Sequence, residues 1–305
     1  MARRKPTALY FTSVVVLADD FPVLGGHLYA EGQEPSITRF LYFHEGKAFF
    51  MYDVPGIVYG VATKPKMAGK PRDTFCAMER TGTYREHVSG EKPVDVKLSS
   101  PDVIFLHDLQ RIGKRLYACG TQNMVFRQEG DRWVRIDQGM FKPLKGRVTQ
   151  NLASIDGFSE DDVYGVGMGG AIWRYHGKAW KKLKSPTNRN LRAVCCASSG
   201  DVVVAGAKGR VFRGGAKKGW TDLSDPGVQD DFIWDIAEFR GKVYLTAHDK
   251  LLVIDGGKLA EVKVPIRGAS FMKLAANENQ LWSVGDDCIL KFDGKTWTRH
   301  VTADN

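Results

Sequence analysis

The 305-residue sequence lacks long hydrophobic runs and is sparing in cysteine and proline. No apolar stretch approaches the roughly 20 residues of a membrane-spanning helix, which excludes a polytopic membrane protein. Hydrophobic residues make up 43% and charged residues 26%, an ordinary globular composition that excludes a collagen and a disordered tail. Glycine, at 33 residues, and aromatic residues, at 11%, are instead more plentiful than helical bundles usually carry.

The cysteines are few, odd in number and without metal-ligand spacing. There is no Cys-x-x-Cys pair, and most of them lie inside apolar runs. We therefore expect buried free thiols and a reducing compartment. The five are Cys76, Cys119, Cys195, Cys196 and Cys288.

A short motif recurs along the whole chain: an apolar residue, an aromatic residue, two further residues and a glycine, as in Val163–Gly167. Its copies end at residues 32, 79, 120, 167, 206, 247 and 285, with alanine at 247 and only the spacing kept at 79. A turn followed by a large apolar residue comes after most copies, and a proline after that. Three columns in phase identify seven internal repeats of about 40 residues.

Each repeat contains four short β-branched or aromatic runs, separated by turn residues. We predict an all-β fold: one domain, residues 1–305, forming a single seven-bladed β-propeller of four-stranded antiparallel blades. The repeats assign the blades to about 7–55, 56–101, 102–143, 150–186, 190–226, 231–265 and 269–303. Two aromatic columns should be buried between blades: Tyr29, Tyr117, Tyr164, Tyr244 and Trp282, with Phe49, Trp133, Trp180, Trp220 and Trp297.

The N-terminus has two interpretations. Met1–Ala18 is a basic segment followed by an apolar stretch, as in a secretory signal, which would indicate an exported protein. The repeat pattern instead needs Ala8–Ala18 as the innermost strand of blade one. We favour the strand, and with it a cytoplasmic location.

The turn Gly294–Trp297, with its relatives in other repeats, resembles the Gly-x-x-Trp turn of bacterial propeller repeats of the WD40 and sialidase types. This resemblance covers nearly the whole chain at the level of repeat architecture. Asp293 abuts Gly294, so the spacing of the sialidase Asp-box is not satisfied, and no Trp-Asp dipeptide closes each repeat. The resemblance implies the fold and carries no family function.

Candidate reactive side chains are scattered. His44, His87 and His176 fall at equivalent turns of separate blades, so we expect no metal site, and no cofactor or catalytic residue is predicted. Polar residues on the inner strands should line the central channel, either as a wet passage or as an ion-binding funnel. These channel-lining residues are His107, Asp108, Asp156 and Asp235.

Positive charge is concentrated in one sector. Residues 141–220 carry a net charge of +10 and residues 221–305 a net charge of −4, within a total of +9. The loop 138–150 places Met140 and Phe141 beside several cations. Either the two apolar side chains are exposed, a composition suited to recognition of an acidic partner, or the loop is merely solvated and Phe141 packs onto its own blade. The predicted partner-binding residues are Phe141, Lys142, Lys145, Arg147, Lys181, Lys182, Lys184 and Arg189.

The leading hypothesis is a monomeric, non-catalytic propeller without a membrane span that binds a protein partner with an acidic surface. A toxin-neutralising immunity protein is one specific case. Two alternatives stay open: a glycan-directed enzyme of the sialidase or lyase type with its site at the channel mouth, and a nucleic-acid or polyanion binder. No recognition motif supports nucleic acid beyond the charge itself.

Overall fold

A computed structural model describes residues 8–29, 34–98, 100, 103, 105–229, 231–286 and 288–300. These residues form seven antiparallel sheets of four strands each, and 3₁₀ turns are the only helices among them. Along the chain, β-branched and aromatic runs form the strands, and the turns carry the glycines with positive φ, such as Gly46 and Gly130. The fold is the predicted seven-bladed all-β propeller.

The strand bounds follow, blade by blade. Blade one holds β1 (Ala8–Ala18), β2 (Phe21–Tyr29), β3 (Ile37–His44) and β4 (Lys47–Pro55); blade two β5 (Val58–Lys64), β6 (Thr74–Glu79), β7 (Thr83–His87) and β8 (Val94–Lys97). Blade three holds β9 (Leu106–Ile112), β10 (Arg115–Gly120), β11 (Val125–Glu129) and β12 (Arg132–Arg135); blade four β13 (Leu152–Ser159), β14 (Asp162–Gly167), β15 (Ile172–Tyr175) and β16 (Trp180–Lys182). Blade five holds β17 (Leu191–Cys196), β18 (Val202–Gly206), β19 (Val211–Gly215) and β20 (Gly219–Asp222); blade six β21 (Asp235–Phe239), β22 (Lys242–Ala247), β23 (Lys250–Asp255) and β24 (Lys258–Glu261). Blade seven holds β25 (Lys273–Ala276), β26 (Leu281–Val284), β27 (Ile289–Phe292) and β28 (Trp297–His300), and the 3₁₀ turns span Met168–Gly170 and Pro226–Val228.

The first strand of each blade lies at the centre of the ring. β1, β5, β9, β13, β17, β21 and β25 contact one another in that order, and β25 contacts β1. Because strands alternate in direction, one face of the ring carries the blade-to-blade connections and the turns between second and third strands. We call this the connection face. The opposite face carries the other two turns of each blade. Among the described residues, no helix has the length and apolar character to cross a bilayer.

Blade one takes all four of its strands from the N-terminal repeat. Ala8–Ala18 is its innermost strand, as the repeat pattern required. The ring closes without a strand shared between the first and last repeats. Polar contacts join the two blades instead: the Asp19 carboxylate accepts hydrogen bonds from Asn277 Nδ2 at 2.8 Å and Asn279 Nδ2 at 2.6 Å.

The core consists of apolar clusters between neighbouring blades. As predicted, Tyr117, Tyr164 and Trp282 are buried there. Trp180 is also buried, and its indole Nε1 donates to the Ile136 carbonyl of the preceding blade at 2.7 Å. Burying such a ring removes on the order of 150–250 Å² from water.

Blade one departs from this pattern. Tyr29 and Phe49 were predicted to lie in the core, but they are 36% and 40% exposed. Phe49 lies on the outermost strand and stacks on Tyr42 of the same blade, so it covers its own sheet. An apolar residue in the repeat column therefore does not guarantee burial at the rim of the ring.

The glycine that ends the repeat motif has a steric role in the strand, not in a turn. A Cβ atom on Gly167 would lie 1.8 Å from the Asn151 carbonyl oxygen, and one on Gly120 would lie 2.1 Å from the Phe105 carbonyl oxygen. The end of the second strand approaches the start of the inner strand of its own blade at this point. Only a residue without a side chain fits such an approach.

The five cysteines are free thiols, as predicted. Four are buried and Cys196 is half-buried. Burial raises the pKa of Cys119 and Cys195 well above the ordinary thiol value. These groups are therefore protonated and unreactive at neutral pH.

Candidate partner-binding face

The loop 138–150 lies on the connection face between blades three and four. The turn between β10 and β11 holds it at both ends: Gln122 Nε2 donates to the Lys142 carbonyl at 2.8 Å, and Asn123 Nδ2 donates to Gln150 Oε1 at 3.0 Å. Gln122 and Asn123 are buried and both have positive φ. The amide side chains thus fix the two ends of the loop onto the propeller.

Between these fixed ends, residues 142–149 are exposed throughout. Lys142, Lys145 and Arg147 project from this stretch and form no ion pair with any residue that the structure describes. Leu144 and Val148 alternate with them and are 42% and 39% exposed. Three unpaired cations and two exposed aliphatic side chains therefore share one anchored loop.

Met140 is placed differently from the sequence expectation, and Phe141 takes the packed one of its two expected placements. Met140 was expected to be exposed, but it is 1% exposed and belongs to the core between blades three and four. Phe141 is half-buried, packs against the core between blades two and three, and lies under the Arg135 guanidinium at 4.2 Å. The apolar residues that this loop offers to a partner are thus Leu144 and Val148. Their alternation with Lys142, Lys145 and Arg147 is the sequence signal that identifies them.

Blade four adds further cations beside the loop. Lys181 and Lys182 are exposed on its outermost strand, and Lys184 is exposed two residues after the strand ends. Lys182 lies 6.0 Å from the centre of the Trp173 ring. By contrast, Arg174 pairs with Asp162 at 2.7 Å on the same blade. The uncompensated charge of the sector therefore comes mainly from these lysines and the anchored loop.

The connection between blades four and five borders a polar groove of about 620 Å³. Ser185 Oγ donates to the Thr187 carbonyl at 2.8 Å, and Thr187 Oγ1 accepts from the Arg189 amide at 3.0 Å. Arg189 is exposed at the edge of the groove. Arg210 lines its other side and pairs with Asp222 at 3.3 Å. The groove continues the basic surface towards blade five.

The channel aspartates form hydrogen bonds between blades. Asp108 Oδ2 accepts from the Ile155 amide of blade four at 3.0 Å, and Asp235 Oδ2 accepts from the Leu274 amide of blade seven at 2.9 Å. Lys273 Nζ also lies 3.5 Å from Asp235. These carboxylates tie β9 to β13 and β21 to β25, a role that the sequence pattern does not predict.

A central cavity of about 350 Å³ is lined by residues of all seven inner strands. Asp156 is the residue that β13 contributes to it. Its carboxylate accepts from the Cys196 amide at 2.7 Å and the Gly157 amide at 2.8 Å. Burial at the centre of the ring raises its pKa to about 7, although both hydrogen bonds act in the opposite direction. Desolvation therefore outweighs the hydrogen bonds at this carboxyl group.

The histidines lie apart from the channel aspartates, with one exception. His107 is half-buried near Arg192, and burial with that positive charge lowers its pKa to about 4, so it is neutral at pH 7. His44 and His87, expected on separate outer surfaces, both line one pocket between blades one and two. No cluster of three metal-ligating side chains occurs among the described residues.

One curated relative shows clear sequence similarity. The immune protein Tsi7 of Pseudomonas aeruginosa PAO1 is 35% identical over 188 residues, which is 60% of this chain and 60% of the relative. The match thus spans less than two thirds of the length of either protein. No family model matches the chain.

Solved structures share the fold at low sequence identity. The virginiamycin B lyase of Staphylococcus aureus superimposes with a TM-score of 0.69 at 12% identity, covering 92% of each chain. The WD40 propeller domain of Doa1 gives 0.68 at 10% identity, covering 95% of this chain and 94% of that one. YCF48 bound to a D1 peptide gives 0.61 at 16% identity, covering 82% of each. These similarities establish the propeller architecture of the chain.

Proposed function

We propose that this propeller is a non-catalytic immunity protein that binds and neutralises a toxin. The similarity to the immune protein Tsi7 carries this proposal. The use of Asp108 and Asp235 as acceptors between blades supports a binding role over a catalytic one at the channel mouth. A glycan-directed enzyme would need carboxylates available to its substrate.

The proposed contact surface is the connection face of blades three to five. Lys142, Lys145 and Arg147 would attract an acidic surface of the toxin, while Leu144 and Val148 would be buried in the complex. Fixed loop ends reduce the conformational entropy lost on binding. Phe141 would support the loop from beneath instead of contacting the toxin directly. Lys181, Lys182, Lys184 and Arg189 would extend the basic surface around it.

We place the protein in the cytoplasm as a monomer. Signal cleavage after Ala18 would remove the whole of β1, and five free thiols suit a reducing compartment. Each blade is already complete with four strands, so the ring needs no strand from a second copy. Sedimentation analysis and cell fractionation test both assignments.

The test uses the product of the neighbouring reading frame as the candidate toxin. Co-expression should restore growth of cells that produce it, and the two proteins should purify as a stoichiometric complex. The triple variant Lys142→Glu, Lys145→Glu, Arg147→Glu should weaken binding by about tenfold or more, because it reverses the charge facing an acidic partner. The double variant Leu144→Ser, Val148→Ser should weaken binding in a salt-independent way.

The matched control reverses three exposed cations outside the proposed surface: Lys258→Glu, Arg267→Glu, Lys295→Glu. It makes the same change in net charge and should leave affinity unchanged. Equal losses in both triple variants would indicate a general charge effect and contradict the assigned surface. Salt-sensitive binding to DNA of any sequence, without a protein partner, would favour the polyanion alternative.

A further inference from the structure

A pocket of about 270 Å³ opens between blades one and two, on the face opposite the connection face. It lies where the β1–β2 turn, the β5–β6 loop and the β7–β8 turn come together. Leu17, Phe21, Tyr42 and Met51 form its apolar wall. A register shift between β3 and β4 leaves Met51 without a cross-strand partner. Such a bulge redirects a side chain, here towards the pocket.

The apolar wall is ordered by ring stacking. Phe21 and Tyr42 stack with ring centres 5.1 Å apart, and Tyr42 stacks on Phe49 at 5.2 Å. The Arg72 guanidinium lies over the other face of Phe21, 3.5 Å from the ring centre. A guanidinium held flat on an aromatic ring keeps its N–H groups directed outward in the plane of the group.

The polar side chains that line the pocket include one guanidinium, one carboxylate and two imidazoles. Arg72 forms no ion pair with any described residue, although neighbouring Lys70 pairs with Glu91 at 2.7 Å. The buried His87 Nδ1 has no hydrogen-bond partner within the described part of the chain. The one carboxylate of the lining, Asp73, accepts from the Lys66 amide at 3.0 Å. An unpaired guanidinium therefore faces a largely apolar space.

We infer that this pocket binds a small organic carboxylate with an aromatic or similarly sized apolar body. The ring would lie against Met51 and the edge of the Tyr42 ring, and the carboxylate would accept paired hydrogen bonds from Arg72. The volume exceeds a cavity of about 150 Å³ that holds benzene, which leaves room for the acid group. The site is separate from the proposed toxin-binding surface and does not depend on the proposed function.

The test uses phenylacetate and its neutral isostere phenylacetamide as probes, with affinities from ligand-observed NMR titration. The wild-type protein should bind the acid about tenfold more tightly than the amide, since a charge-assisted bidentate pair is worth roughly that factor. Arg72→Gln should bring the two affinities within about twofold of each other. Lys66→Gln, the matched loss of a cation from the same loop, should preserve the preference for the acid.

Met51→Trp fills the pocket while Arg72 is retained, and it should abolish binding of both probes. A matching circular dichroism spectrum and unfolding midpoint establish that this variant is folded. Binding that persists in a folded Met51→Trp variant would place the probe elsewhere and overturn the assignment. Equal affinity of the wild-type protein for acid and amide, or binding of neither up to the solubility limit, would overturn it as well.

Discussion

At the scale of single residues, one aspartate on each of several inner strands joins neighbouring blades. Asp108, Asp156 and Asp235 each accept a backbone hydrogen bond from the next inner strand in the ring. Buried carboxylates are costly unless they are hydrogen-bonded. The three carboxylates among the predicted channel-lining residues thus hydrogen-bond neighbouring blades to one another.

Asp156 should make the stability of the protein depend on pH near neutrality. Its pKa is raised from 3.8 to about 7 in the folded chain, so the folded state binds this proton more tightly than the unfolded state. The stabilisation is present at low pH and is lost as pH rises through 7. The free energy of unfolding should therefore fall by about 1 kcal/mol between pH 6 and pH 8, measured by urea denaturation.

Asp156→Asn removes this titration and should flatten the profile over the same interval. The lowered pKa values of His27, His87, His107 and His300 act in the opposite direction, but mainly below pH 6.5, where an unfolded histidine becomes protonated. The comparison of wild type and variant above pH 6.5 therefore isolates Asp156. A wild-type stability that rises from pH 6.5 to pH 8 would contradict the raised pKa.

At the scale of elements, the conformation of the loop 138–150 is fixed by hydrogen bonds at its two ends. The turn between β10 and β11 supplies two buried amide side chains that bind the loop 138–150, and that turn lies in another part of the sequence. The intervening residues remain exposed. Order and exposure together suit this loop to recognition.

Asn123→Gly should loosen the loop without straining the turn. Glycine tolerates the positive φ of this position, so the substitution removes only the side-chain amide, which donates to Gln150 Oε1 at 3.0 Å and to the Met140 carbonyl at 3.5 Å. Backbone amides of residues 142–149 should then exchange hydrogen faster, by about three- to tenfold for the loss of these contacts. Hydrogen-exchange mass spectrometry measures this directly.

The matched control is Glu45→Gly. Like Asn123, Glu45 is a non-glycine residue with positive φ, but it lies in an exposed turn. It lies in blade one and should leave exchange in the loop unchanged. If exchange of residues 142–149 is the same in both variants and the wild type, Asn123 does not restrain the loop. The affinity for a protein partner should fall in parallel with the loop's loss of order.

At the scale of the whole molecule, the ring is closed by side chains. Blade seven meets blade one through apolar packing around Trp282 and Phe43, and through polar contacts of the β1–β2 turn. Asp19 binds two asparagines of blade seven, and Asp20 pairs with Lys291 at 2.7 Å. Ring closure therefore depends on residues nearly the full chain length apart.

Asp19→Ala should lower the urea midpoint of unfolding slightly, because it removes two charge-assisted hydrogen bonds that join the first and last blades of the ring. Asp255→Ala is the matched control: it removes an exposed carboxylate that pairs only within blade six, with Lys242. We expect little change in that variant. Equal midpoints for the two variants would show that the polar contacts at the closure are dispensable.

Much of the architecture is determined by the sequence itself. The period of about 40 residues, the four apolar runs in each repeat and the turn residues between them predict blades, because strand formation and turn geometry depend on near neighbours. The same reasoning identified β1 as a strand of blade one. The concentration of positive charge in residues 141–220 is also a property of the sequence alone.

The tertiary structure decided which side chains are exposed to a partner and which are buried in the core. Met140 and Leu144 lie four residues apart in one loop, yet the first is buried between blades and the second is exposed. His44 and His87 belong to different repeats, yet they line one pocket. Burial and the contents of a pocket depend on which surface of a neighbouring blade faces each residue. That relation is set by the packing of blades around the ring, and no local pattern in the sequence encodes it.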